Sequence, residues 1–92
     1  EIGATRDAGA NVIVTLQIVG ADGMPKDNLK VETRLRRPTD ANLDRTFSLD
    51  AEGNGKYRAT QNDVSPGQWD LIARAVSSDG DVFEAQRRVV LP

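Results

Sequence analysis

The sequence predicts an all-β protein, an immunoglobulin-like antiparallel β-sandwich of about seven strands, and three observations support it. Hydrophobic residues recur with a period of two, not with the longer period of a helix. The alternating runs are rich in β-branched residues and are separated by Gly, Pro, Asp and Asn clusters, as in small sandwiches. No segment carries the apolar stripe of an amphipathic helix. A chain of 92 residues holds one domain with one modest core.

In order along the chain, the first ten residues have no pattern and read as a linker or a frayed edge. In "NVIVTLQIV", Val12, Val14, Leu16 and Ile18 alternate with Ile13, Thr15, Gln17 and Val19. "GADGMPKDN" is a dense turn signal. "LKVETRLRR" alternates cleanly: Leu29, Val31, Thr33 and Leu35 face a core, and Lys30, Glu32, Arg34 and Arg36 face water. Pro38 ends that strand, and "PTDANLD" is a loop or a single helical turn.

"RTFSL" is a short strand with Phe47 and Leu49 inward, and "DAEGNG" turns the chain. "KYRAT" returns with Tyr57 and Ala59 inward. In "DVSPG", Pro66 presets one turn dihedral and Gly67 permits a positive one, reversing the chain into "QWDLIARAV". That strand turns Trp69, Leu71, Ala73 and Ala75 to one face. "SSDGD" is a hairpin signal, and "VFEAQRRVVLP" carries Phe83, Ala85, Val89 and Leu91 on one parity. Arg87 falls on that apolar parity, so either a bulge resets the register or its guanidinium is paired at the sheet margin. The expected core is Leu35, Phe47, Tyr57, Trp69, Leu71 and Phe83. The only tryptophan and the only tyrosine thus read as structural rather than as a binding platform.

The composition excludes several functions. With no histidine and no cysteine, the chain has no Ser-His-Asp or Cys-His catalysis and no imidazole or thiolate metal site. Met24 alone is at most one weak ligand for a soft metal. No lysine lies in an apolar context beside a serine, so the expectation is no enzyme, no cofactor and no metal. Without cysteine the compartment cannot be read from thiols. Net charge is -2 with both signs interspersed, which argues against a nucleic-acid partner. No apolar run of about 18 residues is present to span a membrane. Asp50, Glu52, Asn54 and Gly55 match the first half of a calcium loop, but Gln61 stands where a bidentate Glu belongs and the flanks read as strands.

"LRRPTDANLDR" is the densest polar cluster. One reading is a solvated, salt-bridged edge. The other is a partner-docking patch made of Arg34, Arg36, Arg37, Asp40, Asp44 and Arg45, whose arginine forks would pair with carboxylates. Arg58 and Arg74 would extend it if they fall on the same sheet.

"LRRPTDANLDRTFSL", "GNGKYRAT", "PGQWDLIARA" and "DVFEAQRRVVLP", taken in order, resemble the periplasmic part of the FixH family, small bacterial membrane proteins encoded beside cbb(3)-type cytochrome c oxidase genes. The resemblance runs from about Val12 to Pro92. It implies an N-terminal membrane helix absent from this chain, with 1–10 as the linker from it and 11–92 as a β-sandwich at the periplasmic face of the cytoplasmic membrane. It also implies a part in assembly or maturation of the cbb(3)-type oxidase, with oxidase subunits, a copper-transporting ATPase or an iron–sulfur protein as partners. A docking module is therefore the expected function. The rivals are a sandwich binding carbohydrate or a metal ion, with Trp69 exposed as a platform and the Asp50 loop as a site, and a structural spacer domain.

Overall fold

The computed structural model describes residues 2–7 and 11–92. Among these residues are seven strands: β1 (Ile2–Arg6), β2 (Val12–Gln17), β3 (Lys30–Arg36), β4 (Arg45–Gly53), β5 (Lys56–Gln61), β6 (Gly67–Val76) and β7 (Val82–Leu91). A 3-10 turn, Ala41–Leu43, lies between β3 and β4, where Pro38 forbids further strand pairing. All neighbours are antiparallel, in the order β1-β2-β5-β4-β3-β6-β7. No helix among the described residues is long and apolar enough to cross a membrane.

The sheet folds over itself along β4. Its first half, Arg45 to Leu49, pairs with β3, and its second half, from Asp50, pairs with β5. One layer is therefore β1-β2-β5 and the other β3-β6-β7, with β4 shared between them. This is the immunoglobulin strand order, in which the first, second, fifth and fourth strands oppose the third, sixth and seventh. An immunoglobulin-like β-sandwich of seven strands is thus what the sequence predicts and what forms.

The alternation accounts for the core. Val12, Val14 and Leu16 of β2, Val31 and Leu35 of β3, Tyr57 of β5, and Trp69, Leu71, Ala73 and Ala75 of β6 are all buried between the layers. Phe47 and Phe83 are half-buried against this cluster, on strand stretches near its margins.

Three expectations are refined. Ile2–Arg6 pair with Val12–Leu16, so half of the segment read as linker or frayed edge is an edge strand; residues 1 and 8–10 lie outside the described residues. β4 runs on through Gly53, so "DAEGNG" is mostly strand and the reversal is confined to Asn54 and Gly55, both with positive φ. Arg87 needs no bulge: β6 and β7 stay in one register from Gly67↔Leu91 to Val76↔Val82. Its Nη1 instead donates to the Ile2 carbonyl at 3.2 Å, bridging the two layers at the open margin between β1 and β7.

Candidate docking surface

The outer face of β4-β3-β6-β7 carries ordered rows of charge. On β3, Val31, Thr33 and Leu35 point inward, so Lys30, Glu32, Arg34 and Arg36 must point to water. Cross-strand register then sets three rows. Glu32 lies opposite Arg74 and Arg74 opposite Glu84; Arg34 lies opposite Ile72 and Ile72 opposite Gln86; Arg36 lies opposite Asp70 and Asp70 opposite Arg88. The first row reads minus, plus, minus, and the third reads plus, minus, plus.

Contacts follow the rows. Arg74 Nε is 3.8 Å from Glu84 Oε1, and Arg88 Nε donates to Asp70 Oδ1 at 2.9 Å. Asp70 is only 7% exposed, so Arg88 shields a carboxylate that burial would otherwise leave unpaired, and the pair holds the Arg88 guanidinium above its ordinary pKa. Between the rows, Lys30, Glu32, Arg34, Thr46, Ile72 and Arg74 line a shallow depression of about 310 Å³.

The six residues of the expected patch separate into two groups. Arg34 and Arg36 stand exposed on the outer face. Arg34 Nη2 donates to Asp44 Oδ2 at 2.9 Å and remains half open to solvent. Asp40 is exposed and its Oδ1 accepts the Asn42 amide, closing the 3-10 turn. The other three serve the fold. Asp44 accepts the Arg37 backbone amide at 2.8 Å as well as the Arg34 guanidinium; these bonds, the first above all, hold its carboxyl below the ordinary carboxylate range. Arg37 lays its guanidinium carbon 4.9 Å from the centroid of the Trp69 ring. Arg45 spans one end of the sandwich and donates to the Asn62 and Asp63 carbonyls of the β5–β6 loop at 2.5 and 2.6 Å.

A signal separating these groups was present in the sequence. Arg37 shares the inward parity of Leu35, and Arg45 shares that of Phe47, whereas Arg34 and Arg36 alternate with core residues. Of the two arginines expected as extensions, Arg74 belongs to this face, while Arg58 lies on β5 in the other layer. Asp70, Glu84 and Arg88 were not anticipated, because their membership depends on a cross-strand register that one sequence does not display.

The ligand-binding features sit elsewhere in the geometry. Trp69 is 1% exposed and its Nε1 donates to the Ser65 carbonyl at 2.9 Å, so no indole face is open for a sugar. Asp50 lies opposite Arg58 on the β4–β5 ladder, and Asn54 and Gly55 form the hairpin turn. Among the described residues, no three acidic side chains are grouped so as to hold a metal ion, at that loop or elsewhere.

No curated protein sequence matches the chain. The FixH family model, however, matches residues 4–90, from β1 almost to the end of β7. The match spans both layers, the shared strand and the charged outer face, and the chain belongs to the FixH family.

Proposed function

We propose that the chain is a non-enzymatic docking module that supports assembly or maturation of a cbb(3)-type cytochrome c oxidase. It works at the periplasmic face of the cytoplasmic membrane, held there by an N-terminal helix. Membership of the FixH family supports the setting, and the observation that carries the mechanism is the exposed pair Arg34 and Arg36 on a rigid sheet face. β3 lies between β4 and β6, so both guanidiniums are presented from the middle of the layer rather than from a loop.

Recognition on this reading is electrostatic. Planar guanidiniums pair with carboxylates through two parallel hydrogen bonds, which sets orientation as well as affinity. Arg34 is steadied by Asp44 and Arg36 stands beside it on the same face, opposite Asp70 in the register, so an acidic segment of an oxidase subunit or of an assembly factor meets one guanidinium already held and a second free to fork onto it. The contact is rim-like and weakens with salt.

Affinity capture from membranes containing the oxidase, with the anchored full-length protein as bait, tests the proposal. Recovery of oxidase subunits or of the copper-transporting ATPase is expected, together with their loss for the double variant Arg34→Glu, Arg36→Glu. If neither is recovered while the oxidase stays intact, the docking role is wrong.

A further inference from the structure

β7 is an edge strand whose two sides differ. The Ser77 amide donates to the Asp81 carbonyl at 2.9 Å, so Ser77 and Asp81 form a hydrogen-bonded pair at the mouth of the β6–β7 hairpin. The same register runs unbroken to Gly67↔Leu91. Because hydrogen-bonded and non-bonded pairs alternate along an antiparallel ladder, Phe83, Ala85, Arg87 and Val89 turn their backbone groups to β6. Val82, Glu84, Gln86, Arg88 and Val90 turn theirs away from it. β1 approaches across the gap between layers through the Arg87 contact, but it pairs only with β2. Among the described residues, the outward side of β7 therefore carries backbone donors and acceptors without a ladder, beside two exposed valines, Val82 at 46% and Val90 at 75%.

The side chains along that edge are self-complementary. A two-fold axis through Gln86 places Val82 opposite Val90, Glu84 opposite Arg88 and Gln86 opposite Gln86 of a second copy. Every one of these positions has its backbone groups directed outward, so each opposed pair is also a hydrogen-bonding pair. The complementarity continues inward from the edge. Arg36, Asp70 and Arg88 of one copy line up with Glu84, Arg74 and Glu32 of the other, giving six residues of strictly alternating sign across the junction. Other registers lose this. An axis through Glu84 sets Glu84 against itself, one through Arg88 sets Arg88 against itself, and axes through Ala85 or Arg87 part Glu84 from Arg88.

We propose that this chain pairs with a second copy of itself along β7, joining two β4-β3-β6-β7 layers into one continuous sheet with the axis at Gln86. The interface is isologous and closed, so it ends at a dimer. It is also small, so the dimer is weak and depends on concentration. The proposal does not rest on the docking role; it places two copies of the Arg34–Arg36 face on one side of the joined sheet.

Sedimentation of this chain over a rising concentration series should give a mass that doubles, and Glu84→Arg should return it to the monomer. The absence of cysteine permits a register test. Gln86→Cys should cross-link to itself under mild oxidation, since opposed hydrogen-bonded Cα atoms about 5.5 Å apart lie within disulfide reach. Thr60→Cys, exposed on the outer face of the other layer, should not. A monomer at every concentration up to about 1 mM, the affinity of the weakest specific contacts, overturns the proposal. So does Gln86→Cys cross-linking no faster than Thr60→Cys, or a dimer that survives Glu84→Arg.

Discussion

Arg37 and Trp69 tie the end of β3 to the start of β6. The guanidinium lies over the indole and presses against the backbone of Gly67, where a Cβ would stand 2.8 Å from Arg37 Nη2. Gly67 also has a φ of +114°, so the Pro-Gly pair before the tryptophan serves both the turn and this close approach. Tyr57 plays the matching part in the other layer. Its hydroxyl donates to the Lys26 carbonyl at 2.6 Å and accepts the Leu29 amide at 3.3 Å, pinning the β2–β3 loop. Two buried groups stand outside this economy of partners: among the described residues, neither Arg37 Nη1 nor the hydroxyl of the fully buried Thr33 meets a hydrogen-bond partner. Thr33→Val keeps the shape and removes the desolvated hydroxyl, so it should stabilise the fold by about 1 kcal/mol and raise Tm by roughly 4–8 °C in a thermal melt. Asp44 links stability to pH. Its folded pKa is depressed, so its stabilisation is present above the ordinary value of 3.8 and is lost as pH falls through the lower folded value. Asp44→Asn should therefore be less stable than the parent at neutral pH, with the difference closing below about pH 4 in denaturant titrations.

At the scale of elements, the period of two marked strands β2 to β7 and nearly every inward residue, because burial of one face forces alternation on each strand. Boundaries and neighbours were less legible. Ile2–Arg6 has no alternation to betray it and is a strand only because β2 offers an edge. The acidic stretch from Asp50 to Gly53 resembles a loop by composition, yet pairing with β5 draws it into β4. The docking face follows the same division. Arg34 and Arg36 were readable from parity, whereas Asp70, Glu84 and Arg88 join them only through register. The β4–β5 hairpin also fixes the loop beyond β2: Gly55 accepts from the Ile18 amide, donates to Asp27 Oδ1 at 2.7 Å, and leaves a Cβ only 2.5 Å from the Ile18 carbonyl oxygen. With a φ of +74° as well, Gly55→Ala should cost about 1–3 kcal/mol in chemical denaturation.

Across the whole molecule, the two layers divide the work. Their inner faces bury Trp69, Tyr57, Leu35 and Leu71 in one core, and the outer face of β4-β3-β6-β7 concentrates ordered charge of both signs. Substitutions at Arg34 and Arg36 change that surface without touching the core, since both side chains are exposed and neither enters the Arg37–Trp69 contact; the structural contact given up is the exposed Arg34–Asp44 pair, while Asp44 keeps the Arg37 amide. The most direct measurement is therefore the amount of active cbb(3)-type oxidase in membranes of cells whose own copy of this protein carries Arg34→Glu and Arg36→Glu, with circular dichroism of the purified variant as the check on folding. A native spectrum and a marked fall in oxidase are expected. A native spectrum with normal oxidase would show that the Arg34–Arg36 face plays no part in assembly.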